Sequence, residues 1–142
     1  MISGLFRTLT ICVSLALTGN ALIAQAEDIK GEDIRNLIAG KTIFGYNVDD
    51  REDVTWYFAT DGVVKQRKKG AVSEGTWRIE DDIGRLCIQL RDPYSNTKAK
   101  ERCRVLAKQD DKLEMHGLKK DGRRSGETLK IKEIVEGNAG NM

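Results

Sequence analysis

Short runs of β-branched and aromatic residues, with turn signals between them, constrain the fold of this chain more than any other feature. Eight such runs follow one another between residues 41 and 135, and their period-two alternation is typical of strands. The connections, such as Asp61-Gly62 and Asp121-Gly122, are too short for crossover helices, so the strands form an antiparallel meander. The sequence predicts a mainly β fold: an eight-stranded up-and-down barrel or, alternatively, a strongly curved sheet.

One short helix precedes the strands. In the segment from Gly31 to Gly40, Ile34, Leu37 and Ile38 keep helical spacing, and Gly40 is a suitable stop. We therefore expect one helix of about two turns at the N-terminal side of the barrel.

Three aromatic residues are predicted to lie in the core. Trp56 and Phe58 share a face of one strand, and Trp77 lies on the apolar face of another. An aromatic ring on such a face is usually packing, although a ligand-stacking role is the alternative.

The N-terminus has the layout of a secretory signal peptide. Arg7 is followed by an apolar run of about ten residues, and Ala24-Gln25-Ala26 supplies small residues around a cleavage point. The run is shorter than the roughly 18 to 20 apolar residues of a membrane span, so an uncleaved anchor is the less favoured alternative. Cleavage after residue 26 predicts a periplasmic or extracellular protein with one domain over residues 27–136, no transmembrane segment and a flexible tail over residues 137–142.

Two cysteines remain once Cys12 leaves with the signal peptide, and in an exported chain the pair Cys87 and Cys103 predicts a disulfide; free or intermolecular thiols are the alternative. A hairpin centred on Ser95 would place the two opposite each other. Alternation, however, turns Cys87 away from the apolar face of its strand but groups Cys103 with Val105. We therefore expect a β-bulge or similar irregularity in this hairpin.

Charge is balanced overall but unevenly placed. Loss of Arg7 leaves 23 basic and 22 acidic residues, which gives no reason to expect nucleic-acid binding. In a meander the loops at 47–53, 69–74, 92–100 and 119–126 share one end of the barrel. Only the first of these loops is acidic. The others predict a basic rim that would meet an anionic envelope component or protein, unless its charges are merely solvated. The rim consists of Lys65, Arg67, Lys68, Lys69, Lys98, Lys100, Lys119, Lys120, Arg123 and Arg124.

The sequence offers little chemistry for catalysis. His116 is the only histidine, and alternation places it on the solvent side of its strand. The pattern places no cysteine or serine nucleophile close to it. The aspartate-rich segment Asp49–Asp53 lacks the spacing of a calcium loop. We therefore expect a non-enzymatic protein with no catalytic residue, metal site or cofactor.

Several motifs resemble those of a known group of proteins. The chain is similar to uncharacterised small periplasmic β-barrel families of alphaproteobacteria, which are described as domains of unknown function with a lipocalin-like or calycin-like shape. The resemblance rests on Leu37 to Thr42 with Gly45, Trp56-Tyr57-Phe58 before Asp61-Gly62, Gly75-Thr76-Trp77, Asp81-Asp82, Leu86-Cys87 and Cys103. It implies a barrel fold, and its motifs carry no catalytic chemistry.

Two binding functions are compatible with these observations, and an enzyme of unrecognised type is the third alternative. The first is an exported binding protein of the cell envelope that holds a small apolar or amphipathic ligand inside the barrel. The second is a protein-interaction or inhibitor module that acts through the basic rim and has a filled interior. A hollow interior would favour the first function and a packed interior the second; the sequence does not indicate the oligomeric state.

Overall fold

The computed structural model describes residues 26–80 and 82–142, so the predicted signal peptide lies outside the described residues except for Ala26. The described chain contains one helix, α1 (Gly31–Ile38), which confirms the predicted helix. No helix among these residues is both long enough and apolar enough to cross a membrane. The strands are β1 (Glu27–Ile29), β2 (Lys41–Asn47), β3 (Glu52–Phe58), β4 (Val63–Lys68), β5 (Ala71–Glu80), β6 (Arg85–Leu90), β7 (Arg102–Gln109), β8 (Lys112–Leu118) and β9 (Arg124–Glu136).

Strands β2 to β9 form a closed antiparallel barrel. Each strand pairs with the next one along the chain, and β9 returns to pair with β2. This arrangement confirms the predicted eight-stranded up-and-down barrel. Its loops alternate between a near end, where α1 enters, and a far end. The far end carries the connections at 48–51, 69–70, 91–101 and 119–123.

The barrel interior is apolar toward the near end. Ile34 and Ile38 of α1 are fully buried and join the same core as Phe58, Leu106 and Met115. This packing follows from the amphipathic helix, whose apolar stripe covers the near opening of the barrel. The predicted core aromatics Trp56, Phe58 and Trp77 are all buried.

Strand β1 completes one seam of the barrel wall. β6 pairs with β7 over only three residue pairs, which end at Leu86 and Arg104. Beyond that point β1 takes the place beside β7, with Ile29 opposite Leu106. The sequence analysis did not predict this strand, because three residues are too few to show a period.

The disulfide between Cys87 and Cys103 is present, and the two residues are directly paired across β6 and β7 with a Cα–Cα distance of 4.0 Å. The predicted irregularity lies in the connection between these strands. Ile88 pairs with Arg102, and Arg91 pairs with Lys98. Between these two pairs the chain advances three residues on the β6 side but four on the β7 side, so the β7 side contains one extra residue. The conflict between the predicted faces of Cys87 and Cys103 has a different cause. Val105, which shares a face with Cys103, lies on the outside of β7, whereas Arg104 and Leu106 lie inside.

The β8–β9 hairpin folds back over the outside of β7. The register between β8 and β9 shifts after His116, and the far-end turn of this hairpin then contacts elements on the other side of β7. Gly122 lies against Arg85 of β6, and Arg124 pairs with Asp28 of β1 at 3.2 Å. A hairpin that leaves β8 can reach β6 and β1 only by crossing β7, which explains why Val105 is buried although it faces outward.

The segment predicted to be a flexible tail, residues 137–142, forms hydrogen bonds with side chains of the barrel wall. Thr42 Oγ1 donates to Gly137 O at 2.6 Å and accepts from Ala139 N at 3.0 Å. Arg67 donates to Gly140 O at 2.8 Å. These contacts join residues far apart in sequence, so composition alone could not predict them.

Candidate functional site

The far half of the barrel contains a cavity of about 250 Å³ that is open to solvent on one side. Its walls are apolar side chains from three strands: Val54 and Trp56 of β3, Ile88 and Leu90 of β6, and Leu129 of β9. Polar and charged side chains occupy the remaining positions: Asn47, Gln66, Lys68, Lys100, Arg102, Arg104 and Glu127, with Ala99 also in the lining. The cavity is therefore amphipathic, and four of its lining residues are cationic against one acid.

Arg104 is the most buried charge in this cavity. Its side chain is 10% exposed, and its Nη1 donates to Glu127 Oε1 at 3.0 Å. The guanidinium lies 5.7 Å from the centroid of the Trp56 ring, at cation–π distance. Arg104 Nε is buried and has no hydrogen-bond acceptor among the described residues. One donor of this buried cation is thus left for another partner.

The two tryptophans differ in their indole hydrogen bonds. Trp77 Nε1 donates to Ala59 O at 2.8 Å, so its polar atom is satisfied within the core. Trp56 is 2% exposed, and its Nε1 finds no acceptor within the described chain. A buried donor without an acceptor is costly in a folded protein, and Trp56 is part of the cavity lining.

Acidic side chains partly neutralise the cations at the mouth of the cavity. Lys68 Nζ lies 2.6 Å from Asp50 Oδ2 and 3.0 Å from Glu52 Oε1. Its hydrogen bond to Asp50 raises the pKa of Lys68 and lowers the pKa of Asp50. Lys100 and Arg102, by contrast, form no ion pair with the described residues, so the mouth keeps a positive charge.

The predicted basic rim is not one continuous surface. Lys65 and Arg67 hold the 137–142 segment against the outside of the barrel. Lys69 lies 3.8 Å from Glu52. Lys98 is exposed in the connection between β6 and β7. Of the ten predicted residues, only Lys68 and Lys100 line the cavity.

The remaining four rim residues are displaced because the β8–β9 hairpin folds back. Arg123 pairs with Asp121 at 2.6 Å, and Arg124 reaches Asp28. Lys119 and Lys120 line an open crevice of about 590 Å³ beside β7, which shares Lys100, Arg102, Arg104 and Glu127 with the cavity. The meander places this turn at the far end, but the bend after His116 moves it from the rim to the outer wall.

The remaining reactive side chains lie outside the cavity. His116 Nε2 lies 3.1 Å from Glu114 Oε2, and its Nδ1 lies 3.3 Å from Thr128 Oγ1. The side chain is 13% exposed, so it is more buried than alternation predicts. Among the described residues Glu80 lies close to Cys87 and Cys103, but both sulfurs are in the disulfide and cannot bind a metal as thiolates.

The sequence analysis left a hollow and a packed interior as alternatives, because the polar lining interrupts the alternation of β7. Arg102 and Arg104 occupy the inward positions that apolar residues would fill in a packed barrel. The pairing of Cys87 with Cys103 determines which residues of β7 face inward. It places Arg104 directly opposite Leu86, which faces the interior. Choosing the cysteine register over the apolar pattern would have revealed the buried arginine.

Comparisons with protein-family models, with curated proteins and with solved structures found no match to this chain. The resemblance to periplasmic lipocalin-like barrels therefore stays a prediction.

Proposed function

We propose that this protein is an exported, non-enzymatic binding protein of the cell envelope that holds one small amphipathic ligand in the far-end cavity. The observation that carries the proposal is the hollow far half of an otherwise packed barrel. The lining combines six apolar residues with seven polar or charged ones, which suits a ligand that has both an apolar and a polar part. The volume of about 250 Å³ favours a ligand smaller than a typical drug molecule.

The disulfide supports the exported location, because such bonds persist in oxidising compartments. The lining of the cavity supports the binding role over catalysis. Among the described residues that form it there is no histidine, cysteine or serine, and its one carboxylate, Glu127, is held in an ion pair with Arg104.

Native mass spectrometry of the protein purified from its own exported fraction tests the proposal. We expect an adduct of one small molecule per chain. Leu90→Trp should remove the adduct, because this residue lines the cavity and the larger ring would fill it. Thr76→Trp is the matched control, since Thr76 is exposed on the neighbouring strand and lies outside the lining.

Two results would overturn the proposal. One is wild-type protein that carries no adduct and binds no member of a panel of small amphiphiles. The other is an adduct that survives Leu90→Trp with unchanged affinity. Salt-sensitive binding to anionic vesicles without a cavity ligand would instead support a surface function.

A further inference from the structure

We infer that the ligand is a small amphipathic anion whose head group accepts hydrogen bonds from Trp56 Nε1 and Arg104 Nε. This inference rests on the proposed function and adds the chemical class of the ligand. The apolar part of the ligand would lie against Val54, Ile88 and Leu129, which line the same cavity.

The first argument concerns unsatisfied donors. Trp56 Nε1 and Arg104 Nε are buried, and neither has an acceptor among the described residues. Both residues line the cavity, and both are more than nine-tenths buried: 2% of the whole residue is exposed for Trp56 and 8% for Arg104. Neither group can accept a hydrogen bond, because an indole N–H and a guanidinium only donate. A ligand that satisfies them must bring acceptor atoms, which a carboxylate or phosphate supplies. Both nitrogens are fully buried, so binding requires a small movement of these side chains toward the cavity.

The second argument concerns charge. Two cations of the lining are neutralised. Arg104 pairs with Glu127, and Lys68 pairs with Asp50 and Glu52, which lie outside the lining. Lys100 and Arg102 remain at the mouth without an ion pair in the described chain. A cation entering the cavity would meet net positive charge, whereas an anion would be attracted. The mouth therefore selects the same ligand class as the buried donors.

The third argument distinguishes this site from an ordinary polar core. Trp77 shows that the fold can pair an indole N–H with a backbone carbonyl, at 2.8 Å from Ala59 O. Trp56 lies two residues from Phe58 on the same face, with the two rings stacked at 5.9 Å, yet its donor is left without a protein partner. The competing partner is a bound water, which is a common solution for buried polar groups.

Nuclear magnetic resonance separates these two partners, because the chain has two tryptophans and hence two indole N–H signals. Trp77→Phe assigns them. On titration with octanoate we expect a large downfield shift of the Trp56 signal, while the Trp77 signal stays in place as an internal control. Octanol, which has the same chain length but no charge, should move the Trp56 signal much less.

Calorimetry with three probes gives the corresponding affinities. Octanoate or octyl phosphate should bind at least about tenfold more tightly than octanol, since hydrogen bonds to a charged group are the stronger ones. Trp56→Phe should lower the affinity for the preferred anion about tenfold and change that for octanol by no more than about twofold. Preference for octanoate over octyl phosphate would identify the head group as a carboxylate, and the reverse as a phosphate.

Two further variants fix the sign of the electrostatic effect. Glu127→Gln removes the acid that competes for Arg104, so it should strengthen anion binding. Glu133→Gln is the control for net charge, because it makes the same change in charge at an exposed position of β9 outside the lining. This control should change the affinities for octanoate and octyl phosphate by no more than about twofold. Far-ultraviolet circular dichroism and the unchanged Trp77 signal establish that each variant is folded.

The outcomes separate the inference from the proposed function. Equal binding of octanol and both anions, or an unmoved Trp56 signal at anion saturation, would refute the inference while a cavity ligand remains. Absence of binding by all three probes, together with no adduct in native mass spectrometry, would refute both.

Discussion

Loss of the disulfide should weaken the barrel at its shortest seam. The bond joins β6 to β7 where only three residue pairs connect the strands, compared with six pairs between β5 and β6. It closes a loop of 17 residues, counting both cysteines, whose connecting residues 91–101 are all exposed. The loop-entropy relation gives about 3 kcal/mol for a loop of this length. For a domain of this size that is a large part of the total stability.

The variant Cys87→Ala/Cys103→Ala measures this contribution. Alanine is preferable to serine because Cys87 is fully buried, and a serine hydroxyl there would add an unsatisfied polar group. We expect urea denaturation to show a free energy of unfolding lower by about 2 to 4 kcal/mol. Hydrogen exchange should lose protection first at residues 86–88 and 102–104, where the seam would open.

Reduced wild-type protein is the control, and it should unfold at the same denaturant concentration as the double variant. A loss below about 1 kcal/mol would refute the reasoning. So would faster exchange that is spread evenly over the barrel, since the seam would then be no weaker than its neighbours.

Three other substitutions test the packing and the titration. Trp77→Ala should lower the free energy of unfolding in urea by about 3 to 5 kcal/mol, because the ring is buried; a loss below about 1 kcal/mol would contradict its place in the core. Gly75→Ala should cost about 2 to 3 kcal/mol in the same assay, because its Cβ would lie 1.9 Å from Gln89 O, whereas Ser73→Ala on the same strand should cost little. Burial, followed by the charge of Arg124, lowers the pKa of His116, although Glu114 acts in the opposite direction. The unfolded chain therefore binds more protons than the folded chain. The contribution of neutral His116 to the free energy of unfolding is complete above about pH 6.5 and is lost as pH falls toward the lowered pKa. The stability of wild type relative to His116→Gln should decrease over that range, and parallel pH profiles would contradict the assignment.

The strand order could be predicted from the sequence because it depends on local signals. Period-two runs and short turns determine a meander, and a meander determines which loops share an end. The position of the hairpin between β8 and β9 could not be predicted in this way. Its bend depends on a register shift beside Gly117 and on contacts with Arg85 and Asp28, which lie far away in the chain.

The candidate site shows the limit of pattern analysis more clearly. Trp56 was predicted to be core and is buried, but its unpaired indole nitrogen depends on which side chains face it across the barrel. The sequence analysis assigned no direction to Arg104, because the strands of the two cysteines gave conflicting faces. Its inward position follows from the register of the disulfide, and only then does the cavity acquire its charge.

Strand β1 gives the barrel a vulnerability that its closed wall otherwise avoids. Where β6 leaves β7, the backbone groups of Leu106 to Lys108 pair with only three residues, Glu27–Ile29. If those residues were displaced, β7 would present an open edge with unpaired amides and carbonyls, which is a template for pairing with another chain. Residues 27–29 therefore act as a guard against self-association, and changes near this end of the domain would affect solubility more than the stability of the remaining barrel.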